Sequence, residues 1–209
     1  MYKTIEYFGL PGAGKTTDMK QTIKVEYINP FVQLQMEPTK NKKINKVKLA
    51  LSVVNIRNFY LLCSLVAYAY KTKVKERKKQ LKFILILYIQ LLFIRKNKNI
   101  LKASDQGIIQ SLSSINFNLF PNKESTNKII RIILKFVNQK VEFRYLKISR
   151  EIAMEQMIER ETNKNDNYIR AFYLKEIEMR EYYKNLEIFF DNVYTYLLNA
   201  NERVILIQK

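Results

Sequence analysis

Gly9-Leu-Pro-Gly-Ala-Gly-Lys-Thr16, followed by Thr17, fixes the fold class of this chain. The octapeptide fits G-x-x-x-x-G-K-[ST] at each fixed position. Residues 1–8 before it mix β-branched and aromatic side chains and read as a buried strand. Residues from Gly14 to about Ile23 can start a helix. A glycine-rich turn between a strand and a helix lets backbone N–H groups converge on phosphate oxygens, with the positive end of the helix aimed at the same anion. Three of the four glycines fall inside the octapeptide, so glycine is concentrated there rather than scattered. Gly9, Pro11, Gly12, Ala13, Gly14, Lys15, Thr16 and Thr17 are therefore the expected contacts for a nucleotide's phosphates. Lys15 is placed to reach the β- and γ-phosphates, and the Thr16 hydroxyl to ligate Mg²⁺.

Composition narrows the chemistry. The chain has no histidine and a single cysteine, Cys63, which excludes histidine triads and shuttles, Cys/His zinc sites and intrachain disulfides. With 209 residues, 47% of them hydrophobic, the expectation is one P-loop NTPase domain over 1–209. No signal peptide is expected, because no basic stretch precedes an apolar core and cleavage would remove the motif. A cytoplasmic location follows as the expectation.

The formal charge is +18, and it is unevenly placed. Residues 1–39 are neutral, whereas residues 40–102 carry seventeen basic groups against one acid, Glu76. Residues 103–148 add +4 and residues 149–209 contribute −2. Lys outnumbers Arg 27 to 10, as an AT-rich coding sequence would produce, but that bias does not explain why acids vanish from one stretch. Residues 40–98 read as a basic helical region on the substrate side of the domain.

From about 42 to 96 there is no Pro or Gly and apolar residues recur at helical spacing, which predicts about three helices. Residues 81–94 are the most hydrophobic run. At fourteen residues, with Lys82 and Gln90 inside, it falls short of the roughly 20 a bilayer requires and is expected to be a helix buried against a sheet. Strands are expected at 31–36, 99–104, 141–148 and 203–208, and helices from 108, at 150–161 and from 168 to about 196. In the third of these strands Val141, Phe143 and Tyr145 share a face. The alternation predicts an α/β fold with a parallel sheet.

A P-loop enzyme also needs a carboxylate near its metal, usually at the end of the strand beside the first. Asp105 fits, since it follows residues 99–104 and precedes Gly107, which permits a tight turn into the next helix. An N-cap role for Asp105 on that helix is compatible with metal binding.

With Gly9–Thr17, the Asp105-Gln-Gly-Ile-Ile-Gln-Ser111 segment and the strand–helix unit 141–160 ending in Arg160, the chain resembles the P-loop nucleoside and nucleotide kinases, thymidylate-kinase-like proteins above all. The resemblance implies a three-layer P-loop NTPase with about five parallel strands in the order 2-3-1-4-5 and an enlarged helical region. It implies that Asp105 assists the metal or contacts substrate, with Gln106 where an Arg is common. It also implies that Arg160, at the end of the helix leading into a lid, neutralises the transferring phosphoryl group. The sequence departs from the family in having Gln156 for the first arginine of the lid helix, no arginine in the loop 162–167, and Met36 before Glu37-Pro38; Arg170 is a substitute beyond the loop.

The expected function is phosphotransfer from Mg-ATP to a small, anionic, nucleotide-like acceptor, with Lys15, Asp105 and Arg160 as catalytic residues and Thr16 and Asp105 at the metal. A homodimer through residues 81–94 is left open. The alternative is an ATPase or nucleotide-dependent switch that binds nucleic acid or an acidic partner through the basic helices. A third reading is a P-loop protein that binds nucleotide without turning it over.

Overall fold

A computed structural model describes residues 4–22, 55–72, 77–96, 102–115, 120, 122–162 and 176–208. The described elements run β1 (Thr4–Gly9), α1 (Lys15–Thr22), α2 (Ile56–Tyr70), α3 (Arg77–Lys96), β2 (Lys102–Ser104), α4 (Ile108–Ile115), α5 (Lys123–Val137), β3 (Val141–Lys147), α6 (Arg150–Thr162), α7 (Glu176–Asn199) and β4 (Arg203–Gln208). The four strands form one parallel sheet in the order β2-β1-β3-β4. These are the relative positions expected for the strands at 1–8, 99–104, 141–148 and 203–208. The expected strand at 31–36 lies outside the described residues, as do Met36, Glu37, Pro38, Arg170, residues 42–54, the loop 163–167 and residues 168–175.

The strand sequences explain the layering. Glu6 and Phe8 register with Phe143 and Tyr145, so these four share one face of the sheet. Phe8 stacks on Tyr145 at 4.9 Å between ring centroids, and both rings meet Phe190 of α7. The opposite face carries Tyr7 and Arg144, whose guanidinium donates to the Tyr7 hydroxyl at 2.7 Å. Tyr7 also meets Thr22 of α1. Helices thus cover both faces of β1. On that second face Glu142 is buried but paired, to Arg144 at 2.8 Å and Arg203 at 2.9 Å, which compensates its desolvation.

One sequence expectation changes, and one helix is added to those expected. The hydrophobic helix at 81–94 lies within α3, whose main neighbours are α2, α4 and α5 rather than the sheet. Its buried Ile84, Leu87, Tyr88 and Leu91 pack into a helical layer, and no helix of the described residues is long and apolar enough to cross a membrane. Helix α5 lies beyond the helices expected from the sequence, although its signals are ordinary ones. The Asn122 side chain caps it by accepting from Ser125 N at 2.9 Å. Asn138 ends it in the left-handed region at φ 48°, where Asn is tolerated. Between the caps, Ile129, Ile130, Ile133, Phe136 and Val137 are buried on one side.

Candidate functional site

The turn between β1 and α1 sits at the carboxyl end of the two central strands, where open parallel sheets place their ligand crevices. Two of its glycines, Gly9 and Gly12, are required sterically. Gly12 has φ +87°, and a Cβ there would run into the backbone carbonyl of Ala153 in α6. Gly9, at φ +143°, is pressed in the same way against the carbonyl of Leu146 in β3. The loop is thus clamped between its own strand, β3 and α6. A further tie comes from α7, where the Tyr183 hydroxyl donates to the Pro11 carbonyl at 3.1 Å. Ala13 is buried and its N–H donates back to the Leu10 carbonyl at 3.2 Å. Thr17 is exposed one residue into the helix beyond Thr16.

Lys15 opens α1 and folds over the loop, its ammonium donating to the carbonyls of Gly9 at 3.0 Å and Leu10 at 2.7 Å. Burial brings its pKa down to about 8; the nearby Asp105 carboxylate opposes that shift and the Arg160 guanidinium reinforces it. An ammonium that is both desolvated and held near a second cation is poised to gain from an arriving phosphate. Lys15, Asp105 and Arg160, three residues from distant parts of the chain, are therefore within electrostatic reach of each other. Arg160 lies on the exposed side of α6, its guanidinium 2.8 Å from the Met157 sulfur.

The Thr16 hydroxyl donates to Asp105 Oδ2. Asp105 is 8% exposed and directly follows β2, which pairs with β1. Two hard oxygens side by side at the mouth of the glycine-rich turn suit Mg²⁺, which typically takes one or two protein oxygens and completes its shell with phosphates and water. Among the described residues no group of three His, Cys, Asp or Glu side chains is gathered as an all-protein cage. The donor set thus fits a metal delivered with a nucleotide.

Two residues that the sequence reading did not single out for the site hold the Asp105 turn. Glu6, on β1 and 1% exposed, accepts from Ile109 N and is also bonded by Ile108 N, so it caps the first turn of α4 from inside the sheet. Burial pushes its carboxyl up to about 8 against the pull of those two N–H donors. Gly107 leaves room for it; a Cβ there would meet Glu6 Cγ and Cδ at 2.5 Å. From the other side Gln90 of α3, 2% exposed, donates to the Gln106 carbonyl at 3.1 Å and accepts from Ser111 Oγ at 2.8 Å. Both had a visible signal. Each is a polar residue inside an apolar run, and such a residue needs a partner once buried.

The chain matches no protein-family model, and no curated protein or solved structure matches it.

Proposed function

We propose that this chain is a Mg²⁺-dependent P-loop phosphotransferase of the nucleoside and nucleotide kinase kind. It moves the γ-phosphoryl group of ATP to a small, anionic, nucleotide-like acceptor. The observation that supports it most is the meeting of Lys15, the Thr16–Asp105 pair and Arg160 around one glycine-rich turn at the carboxyl edge of a parallel sheet. Such a set matches what phosphoryl transfer demands, which is positioning and charge neutralisation with little covalent work by the protein.

In this reading the N–H groups at the start of α1 cradle the donor's phosphates, with Gly9, Pro11, Gly12, Ala13 and Gly14 shaping the turn and Lys15, Thr16 and Thr17 opening the helix. Thr16 and Asp105 would hold Mg²⁺, which would supply neutralisation of the charge that develops on the phosphates. Lys15 exchanges its loop carbonyls for the β- and γ-phosphates, and Arg160 faces the transferring group. The acceptor oxygen bonds to phosphorus as the bond to the β-phosphate oxygen breaks, and ADP leaves. The basic helical region supplies the acceptor side, since Gln90 brings α3 against the Asp105 turn.

Calorimetric titration with ATP and GTP, each with Mg²⁺ and with EDTA, tests the binding half of the proposal. Saturable binding strengthened by Mg²⁺ supports it, and no binding of either nucleotide refutes it. A nucleotide-driven switch or ATPase is the second reading, and the observation in its favour is a basic groove between α2 and α5 that shares no lining residue with the loop.

A further inference from the structure

Most of the basic charge is unused by the phosphate loop, and part of it lines one groove. Helices α2 and α5 lie antiparallel, since Arg57 at the start of α2 donates to the carbonyl of Lys135 near the end of α5 at 3.1 Å. At the other end Lys71 donates to Ser125 Oγ at 2.6 Å. Between these ends run two adjoining cavities of about 420 and 320 Å³ that share Tyr60, Lys128 and Ile132. Five cations, Arg57, Lys71, Lys128, Arg131 and Lys135, line them, and among the described residues no acid does. Lys128, Arg131 and Lys135 recur at helical spacing on the exposed side of α5; its one acid, Glu124, stands a turn before Lys128. From Arg57 to Lys71 the α2 side spans roughly 21 Å at 1.5 Å per residue.

We propose that this groove binds single-stranded nucleic acid. A row of cations about 20 Å long suits a linear polyanion better than one phosphate group. The site is concave, so a strand can enter it where a flat bilayer cannot. Tyr60, 58% exposed, lining both cavities and standing one helical turn in from Arg57, offers a ring beside the row for an unpaired base to stack on. A duplex presents no unstacked base to such a ring. The groove shares no lining residue with the phosphate loop, so the proposal stands apart from phosphotransfer.

The test is fluorescence anisotropy of the full chain with a labelled twelve-nucleotide oligothymidylate, with a duplex of equal length, and with phosphatidylserine vesicles as competitor. The expected result is binding at low salt that weakens linearly in log–log form, with the single strand preferred. Tyr60→Ala should cost about tenfold with the salt slope unchanged. Lys128→Gln with Arg131→Gln should reduce that slope by about two, one per phosphate contact. Circular dichroism confirms that each variant is folded, and the exposed positions of these side chains make that the expected outcome. Absence of oligonucleotide binding at low salt overturns the proposal. Equal binding of duplex with no effect of Tyr60→Ala does so as well, as does oligonucleotide binding indifferent to both variants, or binding to vesicles alone.

Discussion

The Thr16 hydroxyl donates to the Asp105 carboxylate, joining the first turn of α1 to the turn that leaves β2. The two residues are 89 positions apart, yet parallel pairing of β1 with β2 delivers both to the same edge of the sheet. If that pair is the protein's share of a metal shell, Asp105→Asn should leave nucleotide binding in EDTA within about threefold of the wild type. The gain in affinity on adding Mg²⁺ should fall about 10- to 100-fold. Calorimetry in the two conditions measures both quantities, and an unchanged Mg²⁺ effect would count against the pair.

Lys15 gives a second prediction, because one substitution should act oppositely on binding and on stability. Lys15→Met removes charge-assisted hydrogen bonds of about 1.5–3 kcal/mol to a bound nucleotide, so affinity should drop roughly 10- to 150-fold. Its ammonium is costly to keep charged inside the loop, as the lowered pKa of about 8 records. The urea midpoint of the ligand-free variant at pH 7 should therefore equal or exceed that of the wild type.

Glu6 ties stability to pH. Its folded pKa of about 8 lies above the ordinary carboxyl value of 4.5, so the folded state holds the proton more tightly than the unfolded chain. The stability it permits is fully present below about pH 4.5, declines as pH rises between these values, and reaches its floor above pH 8. The slope across the window is at most about 1.4 kcal/mol per pH unit. Glu6→Gln keeps an acceptor for Ile109 N without the titration. The wild type should lose stability relative to this variant between pH 5.5 and 8 in urea melts; parallel melts would show that Glu6 carries no such linkage.

Gly12 and Gly14 separate backbone conformation from packing. Both have positive φ, +87° and +77°, so an alanine at either should cost on the order of 1–2 kcal/mol. At Gly14 nothing lies within 4 Å of the added Cβ, whereas at Gly12 the Ala153 carbonyl blocks it. Gly12→Ala should thus be the more damaging, by at least about 1 kcal/mol in denaturant melts.

Much of this arrangement is legible in the sequence, and the reasons differ by element. The glycine pattern and the strand before it mark the turn between β1 and α1 because few residues besides glycine tolerate those angles. The alternation of Val141, Phe143 and Tyr145 marks one buried face of β3. Arg160 could be selected only through a family resemblance, since a lone arginine on a mixed-charge helix carries no local sign of what it faces. Glu6 and Gln90 act across distances of 103 and 16 residues, to Ile109 and Gln106, so their partners are set by packing rather than by spacing. The neighbours of α3 differ from the expected sheet for a related reason. An apolar run says that a helix is buried, and leaves open whether a sheet or other helices bury it.

Phosphoryl transfer itself is tested most directly with ATP labelled in its γ-phosphate, incubated with Mg²⁺, the protein and a panel of nucleosides, nucleotides and sugars. The account predicts label on an acceptor, carried by an anionic nucleotide-like compound, and abolished in Lys15→Met and Asp105→Asn. Label released solely as inorganic phosphate, or left on ATP that calorimetry shows to be bound, would contradict it.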